Sequence, residues 1–362
     1  MWSRLSILGS FLACLCLGPS LTGCGRSDAI VVITLHPEKP DILYVATNDY
    51  IFKSRDGGET WENISRGLTH SRVISMAIDP AYPATIYAGT KGDAVFKSHD
   101  GGQRWKSLRA GLDSAIISSV VNQFVFDPAN PQHIFTATTM GIYETEDGGD
   151  SWYKRMDGMK EVLMVVSLTL DPTRPPIMYA GTSGGVYKSK NWGRWWDKAN
   201  NGLVPPEMIK SSRALNVTAI QVDPHEPDTV YAATLDGLYK STDAADAWTR
   251  MGAELPDQMI SAMLVDYSRP GHLYLATRKG VFVSDDRGRR WRPINEGLES
   301  LNIRSLAQSR IDPNLIYAGT NGSGLYRSTD AGQTWVSMPP VVDRKKKTQP
   351  MAVLPSRLPS FS

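Results

Sequence analysis

Short apolar stretches with a period of two recur along this chain. Ser75-Met76-Ala77-Ile78 alternates small and large residues, and the same two large positions return as Phe124 and Phe126, Leu168 and Leu170, and Ile220 and Val222. Each reads as a strand with one buried face. A proline then breaks the chain (Pro40, Pro83, Pro131, Pro175, Pro227, Pro270, Pro313), and four residues later an aromatic opens a second strand. Those second strands read Leu43-Tyr44-Val45-Ala46-Thr47, Ile86-Tyr87-Ala88-Gly89-Thr90, Ile134-Phe135-Thr136-Ala137-Thr138, Met178-Tyr179-Ala180-Gly181-Thr182, Val230-Tyr231-Ala232-Ala233-Thr234, Leu273-Tyr274-Leu275-Ala276-Thr277 and Ile316-Tyr317-Ala318-Gly319-Thr320. A third strand carries Phe52, Phe96, Tyr143, Tyr187, Tyr239, Phe282 or Tyr326, with Ser or Thr two residues on. Seven residues after that hydroxyl comes a tryptophan: Trp61, Trp105, Trp152, Trp196, Trp248, Trp291, Trp335.

The steps between these tryptophans are 44, 47, 44, 52, 43 and 44 residues. A period of about 40–50 residues holding four strand-sized pieces predicts propeller blades. One four-stranded unit cannot bury both faces. Seven in a ring can, and closure removes most open sheet edges. The expected fold is therefore all-β: a seven-bladed β-propeller of four-stranded antiparallel blades over residues 29–338. Its ends should meet at a blade seam, without a shared blade.

Between the third and fourth strands lies a turn with its own chemistry. In Ser54-Arg55-Asp56-Gly57-Gly58-Glu59-Thr60-Trp61 the Asp can bond back to turn N–H groups and the glycines can take positive φ. The pattern Ser-x-Asp-x-Gly-x-x-Trp resembles the Asp-box, or BNR repeat. With seven copies the chain resembles the Asp-box propellers of the sortilin ectodomain type, the photosystem II assembly factors, and single halves of xyloglucanase-type glycoside hydrolases. The resemblance implies that Asp56, Asp100, Asp147, Asp243, Asp286, Asp330 and the seven tryptophans are structural and remote from any ligand. The turn is degraded at Asn191, Ala245 and Arg287.

Composition adds an address. Arg4 followed by the apolar run Leu5 to Leu17 has the form of a signal peptide. It ends at Leu21-Thr22-Gly23-Cys24, which resembles the bacterial lipobox, in which the cysteine takes a diacylglycerol. Residues 1–23 then form a cleaved lipoprotein signal and 24–28 a linker, with Cys24 the lipidated residue and membrane anchor. The other two cysteines, Cys14 and Cys16, leave with the signal, which suits an oxidising cell envelope. Residues 339–362, with Arg344-Lys345-Lys346-Lys347 and three prolines, read as a disordered basic tail.

Chemistry is harder to find. A net charge of +2 offers no field for nucleic acid. No catalytic motif or cofactor loop occurs, and the six histidines are scattered without metal spacing, reading as turn residues. Sequence spacing leaves open a carboxylate pair assembled from different blades. The expectation is a non-catalytic, lipid-anchored protein-binding or assembly scaffold with neither cofactor nor metal. A diverged glycoside hydrolase or glycan binder is the alternative. Candidate binding residues are Arg72 and Arg304, near the starts of inner strands, and Arg213, in the longest loop (about Asp197 to Asn216). Trp192 and Trp195, at variable positions of the degraded fourth turn, complete the set. They read as stacking or anchoring surfaces, or as packing beneath that loop.

Overall fold

A computed structural model describes residues 29–68, 72–112, 120–160, 162, 164–203 and 215–341. Among them lie seven four-stranded antiparallel sheets, each a simple meander in sequence order. The first strands are Ile30–Leu35, Arg72–Ile78, Val121–Asp127, Val165–Leu170, Val217–Val222, Ile260–Val265 and Ile303–Gln308. Each packs against the first strand of the blade before and of the blade after, and the seventh returns to the first. These strands therefore ring a central axis. The two ends of the chain meet blade to blade, each sheet keeping all four of its own strands.

Register defines two faces. Ile30 pairs with Thr47, and Val73 with Thr90. Starts of inner strands thus share one face, the upper, with the hairpins between second and third strands. The remaining hairpins, between strands one and two and between three and four, share the lower face. Every inner strand carries a one-residue register shift near its upper end, as between Ile303 and Ser305, which leaves Arg304 as the extra residue.

The aromatic of the second strand is buried in all seven blades, from Tyr44 to Tyr317. In most blades it works with a long cation of the third strand to clamp the next blade. Lys97 Nζ and Tyr87 Oη both donate to the Gly148 carbonyl, at 2.8 and 2.9 Å. Lys53 reaches Gly101 O at 3.1 Å and Lys188 reaches Ala244 O at 2.6 Å. Across the closing seam Arg327 and Tyr317 donate to Gly57 O at 3.2 and 3.0 Å. Gly319 helps here, because a Cβ at that position would lie 2.6 Å from Ile30 Cγ2. A hydrogen bond to a charged donor contributes about 1.5–3 kcal/mol. Lys97→Met keeps the stem and removes the ammonium, so a loss of this size is expected in urea unfolding. A loss below about 0.5 kcal/mol would show that the clamp is incidental.

The turns between third and fourth strands share one hydrogen-bond pattern in all seven blades. Ser54 Oγ donates to Asp56 Oδ1 and accepts from Gly58 N, both at 2.8 Å, and Asp56 Oδ1 accepts from Thr60 N at 2.8 Å. Departures at Asn191, Ala245 and Arg287 leave it intact, with Asn191 Oδ1 accepting from Trp195 N at 2.9 Å. Trp192, Ala244, Ala245, Arg287 and Ala331 take positive φ where other copies have glycine. Each such residue carries roughly 1 kcal/mol of strain. The tryptophan that follows the turn fills the gap to the preceding blade: Trp105 Nε1 donates to Ile64 O and Trp335 Nε1 to Ile294 O.

Candidate functional site

The aspartates of the repeated turn are consumed by it. Burial pushes the carboxyls of Asp147 and Asp286 up, but hydrogen bonds outweigh it and bring both down to about 2. The donors are Ser151 and Thr145 for the first, Arg290 and Ser284 for the second. A general acid needs the opposite shift. On the same lower face the loop after the inner strand is closed by an Asp in the second to sixth blades, as Asp79 accepts from the Ala81 and Tyr82 N–H groups, and by Ser309 Oγ in the seventh. His36 Nδ1 does this work in the first blade.

Of the candidate binding residues, the structure brings together two. Arg72 begins the second inner strand and Arg304 is the bulged residue of the seventh, so they flank the first blade at the upper end of the channel. Burial pulls the Arg304 guanidinium below its ordinary range, and repulsion from Arg72 adds to it. Arg72 donates to Asn48 Oδ1, while its Nε is buried without a partner. Arg304 makes no ion pair among the described residues. Cys24, Arg213, most of the long loop that holds it, and the tail from residue 342 lie outside the described residues.

Trp192 and Trp195 lie on the lower face and part company there. Trp195 stands 53% exposed, its backbone held by Asn191 and its indole N–H on Asp197 Oδ1 at 3.0 Å. Trp192 turns inward. It stacks on Phe135 at 6.0 Å between centroids and covers His133 at 4.8 Å.

That contact belongs to a seam unlike the others. Where most blades have Tyr and Lys, the third has Phe135 and Glu144, and the facing turn of the fourth has Trp192 where other copies often have glycine. His133 Nδ1 meets Asp127 Oδ2 at 3.0 Å and Nε2 meets Glu144 Oε1 at 2.8 Å. Arg155 caps the other oxygen of Glu144 at 2.5 Å. Burial lowers the imidazole pKa, but hydrogen bonds to both carboxylates prevail and raise it. Burial raises the Glu144 carboxyl, yet His133 and Arg155 bring it down. The result is an imidazole held between two carboxylates, its protonated form favoured. This corrects the expectation that His133 is a surface turn residue. His133, Glu144 and Glu146 also offer donor atoms within 4.8 Å of one another. A cation there would have to displace the His133–Glu144 hydrogen bond.

A closed ring of seven four-stranded meanders, clamped seam by seam, defines the chain as a seven-bladed β-propeller. In sequence, the family described as Sortilin, neurotensin receptor 3 (Sortilin-Vps10) matches residues 49–183. No curated protein matches the chain. An ancestral GH74 enzyme is similar in structure, with a TM-score of 0.70 at 18% identity over 86% of this chain and 46% of that one. The chain thus spans about half the length of that enzyme. YCF48 from Cyanidioschyzon merolae has a TM-score of 0.60 at 17% identity, covering 83% of this chain and 95% of that one. YCF48 bound to D1 peptide gives 0.59 at 17%, covering 83% and 92%. At these identities the likeness is one of fold.

Proposed function

We propose that the protein is a lipid-anchored propeller of the cell envelope, tethered through Cys24, that binds a protein partner on its lower face and performs no catalysis. The exposed, pre-positioned indole of Trp195 carries the reading. At the same place in the turn the other blades have Thr60, Arg104, Ser151, Ala247, Arg290 and Thr334. A large aromatic held by its own backbone and N–H has little entropy left to lose, which is the character of an interface hot spot. Tyr82, Tyr267 and Ile311 are exposed on the same face. The peptide complex of YCF48 supports protein binding by a ring of this architecture.

The test is co-purification from detergent-solubilised membranes through a C-terminal tag. A stoichiometric protein partner is expected, and Trp195→Ala should weaken it by about 2 kcal/mol or more, roughly 30-fold. Stability should move by less than about 0.5 kcal/mol. Capture unchanged by the substitution would remove Trp195 from the interface. The likeness to the GH74 enzyme favours a second reading, in which the same indole stacks on a sugar ring. Binding to a glycan array without any protein partner would select it.

A further inference from the structure

We infer that the upper face of the ring, where the described chain begins beside the channel, lies against an anionic lipid surface. This rests on the lipid anchor at Cys24 proposed above. Ala29 and Ile30 are buried and begin the first inner strand, beside the upper end of the channel. Five links separate Cys24 from Ala29, spanning at most about 18 Å when fully extended. From inner to outer strand of a blade is three strand spacings, ~14 Å before side chains. A tether this short, rooted near the axis, has little slack to roll the ring onto its rim and none to present the lower face.

The chemistry of the upper face suits that position. Among the described residues several of its acids are paired: Arg109 holds Asp93, Arg250 faces Asp236, and Arg278 holds Asp257. Arg72, Lys91, Lys279 and Arg304 make no ion pair among the described residues, against the carboxylates of Asp49 and Glu299. Between these cations stand exposed apolar side chains, with Tyr50, Met140 and Leu235 on hairpins and Met259 and Leu301 just before inner strands. Cations interleaved with apolar groups are what an anionic bilayer interface attracts. Each cation acts within about 8 Å of the surface at physiological salt, inside the reach of the tether.

The capped thiol of Cys24 leaves a single introduced cysteine free for labelling. Met140→Cys and Leu235→Cys report the upper face; Tyr82→Cys and Tyr267→Cys report the lower. The acylated protein is placed in phosphatidylcholine vesicles, with or without a quarter phosphatidylglycerol, containing a spin-labelled lipid quencher. Quenching of the upper dyes alone is expected, in phosphatidylglycerol vesicles and reversed by 0.5 M salt. Replacing Arg72, Lys91 and Arg304 with glutamine should shift the docked-to-free ratio about fivefold per cation, on the order of 100-fold together. Equal quenching of both faces, or none at Met140, overturns the orientation. Protection of Met140 only in native membranes would assign the face to an acidic protein instead, and counts against it. The mass of the N-terminal peptide separates the two readings. An unacylated Cys24 fells both, whereas an acylated Cys24 with an unquenched upper face fells the orientation alone.

Discussion

Glu144→Ala is expected to cost about 3–5 kcal/mol, the usual penalty for removing one member of a buried ion pair. The carboxylate is 1% exposed and satisfies both His133 and Arg155. Its loss takes from His133 and the Arg155 guanidinium the acceptor they share. Replacing Asp127, His133, Glu144 and Arg155 together with apolar residues of similar size should recover much of the loss. Acidity probes the same cluster. The His133 pKa is raised, so its contribution is complete below the ordinary value of 6.5 and fades as the pH climbs through the higher folded value. That of Glu144 is lowered, so its contribution is complete above 4.5 and fades as the pH falls through the lower folded value. The seam should hold best between those limits. Urea midpoints measured across pH should show both flanks in the parent and shallower ones in Glu144→Ala. A loss under about 1 kcal/mol, or an unchanged pH profile, would dismiss the cluster as an anchor of the ring.

Trp196→Ala should destabilise by a similar amount, about 3–5 kcal/mol, as large-to-small changes at buried aromatics do. Trp196 is 1% exposed and packs in the core between the third and fourth blades. The sharper comparison is with phenylalanine. Trp196 Nε1 donates to Arg155 O at 3.2 Å, whereas Trp152 Nε1 is buried with no partner. Trp152→Phe therefore removes an unsatisfied donor, and Trp196→Phe breaks a bond. The second should cost about 1 kcal/mol more than the first. Thermal unfolding of the pair decides it, and the reverse order would contradict the assigned hydrogen bonding.

The ring was legible because its signals are local and repeated seven times. The proline before the second strand, the buried Tyr, the hydroxyl–Asp turn and the tryptophan each do one job within about 45 residues. The contacts that tell one blade from another cross seams, and they were not legible. Read singly, Phe135 is one more second-strand aromatic, Glu144 carries no signal of its own, and Trp192 sits at a variable position of a degraded turn. Only when the third strand of one blade is known to face the turn of the next do they become one compensated change, Tyr and Lys lost together and an indole gained. Composition carried the hint, because Glu144 is the lone acid at a position otherwise held by Lys, Arg or Val. Arg72 and Arg304 lie 232 positions apart (304 − 72) and become neighbours only when the ring closes. Trp192 and Trp195, adjacent in pattern, separate into core and surface because one occupies the positive-φ corner of the turn and the other its outer edge.

Closure by packing alone has a consequence for how such a chain can be rearranged. Among the described residues no strand is lent across the seam between last and first blades, and the bonds from Arg327 and Tyr317 to Gly57 repeat those found between blades joined by the chain. The termini thus interrupt the ring at a place with no special architecture. Joined there by a linker and cut before Val217 or Ile260, the sequence should fold to the same seven blades as a circular permutant, and the position of any tether around the channel becomes a matter of choice.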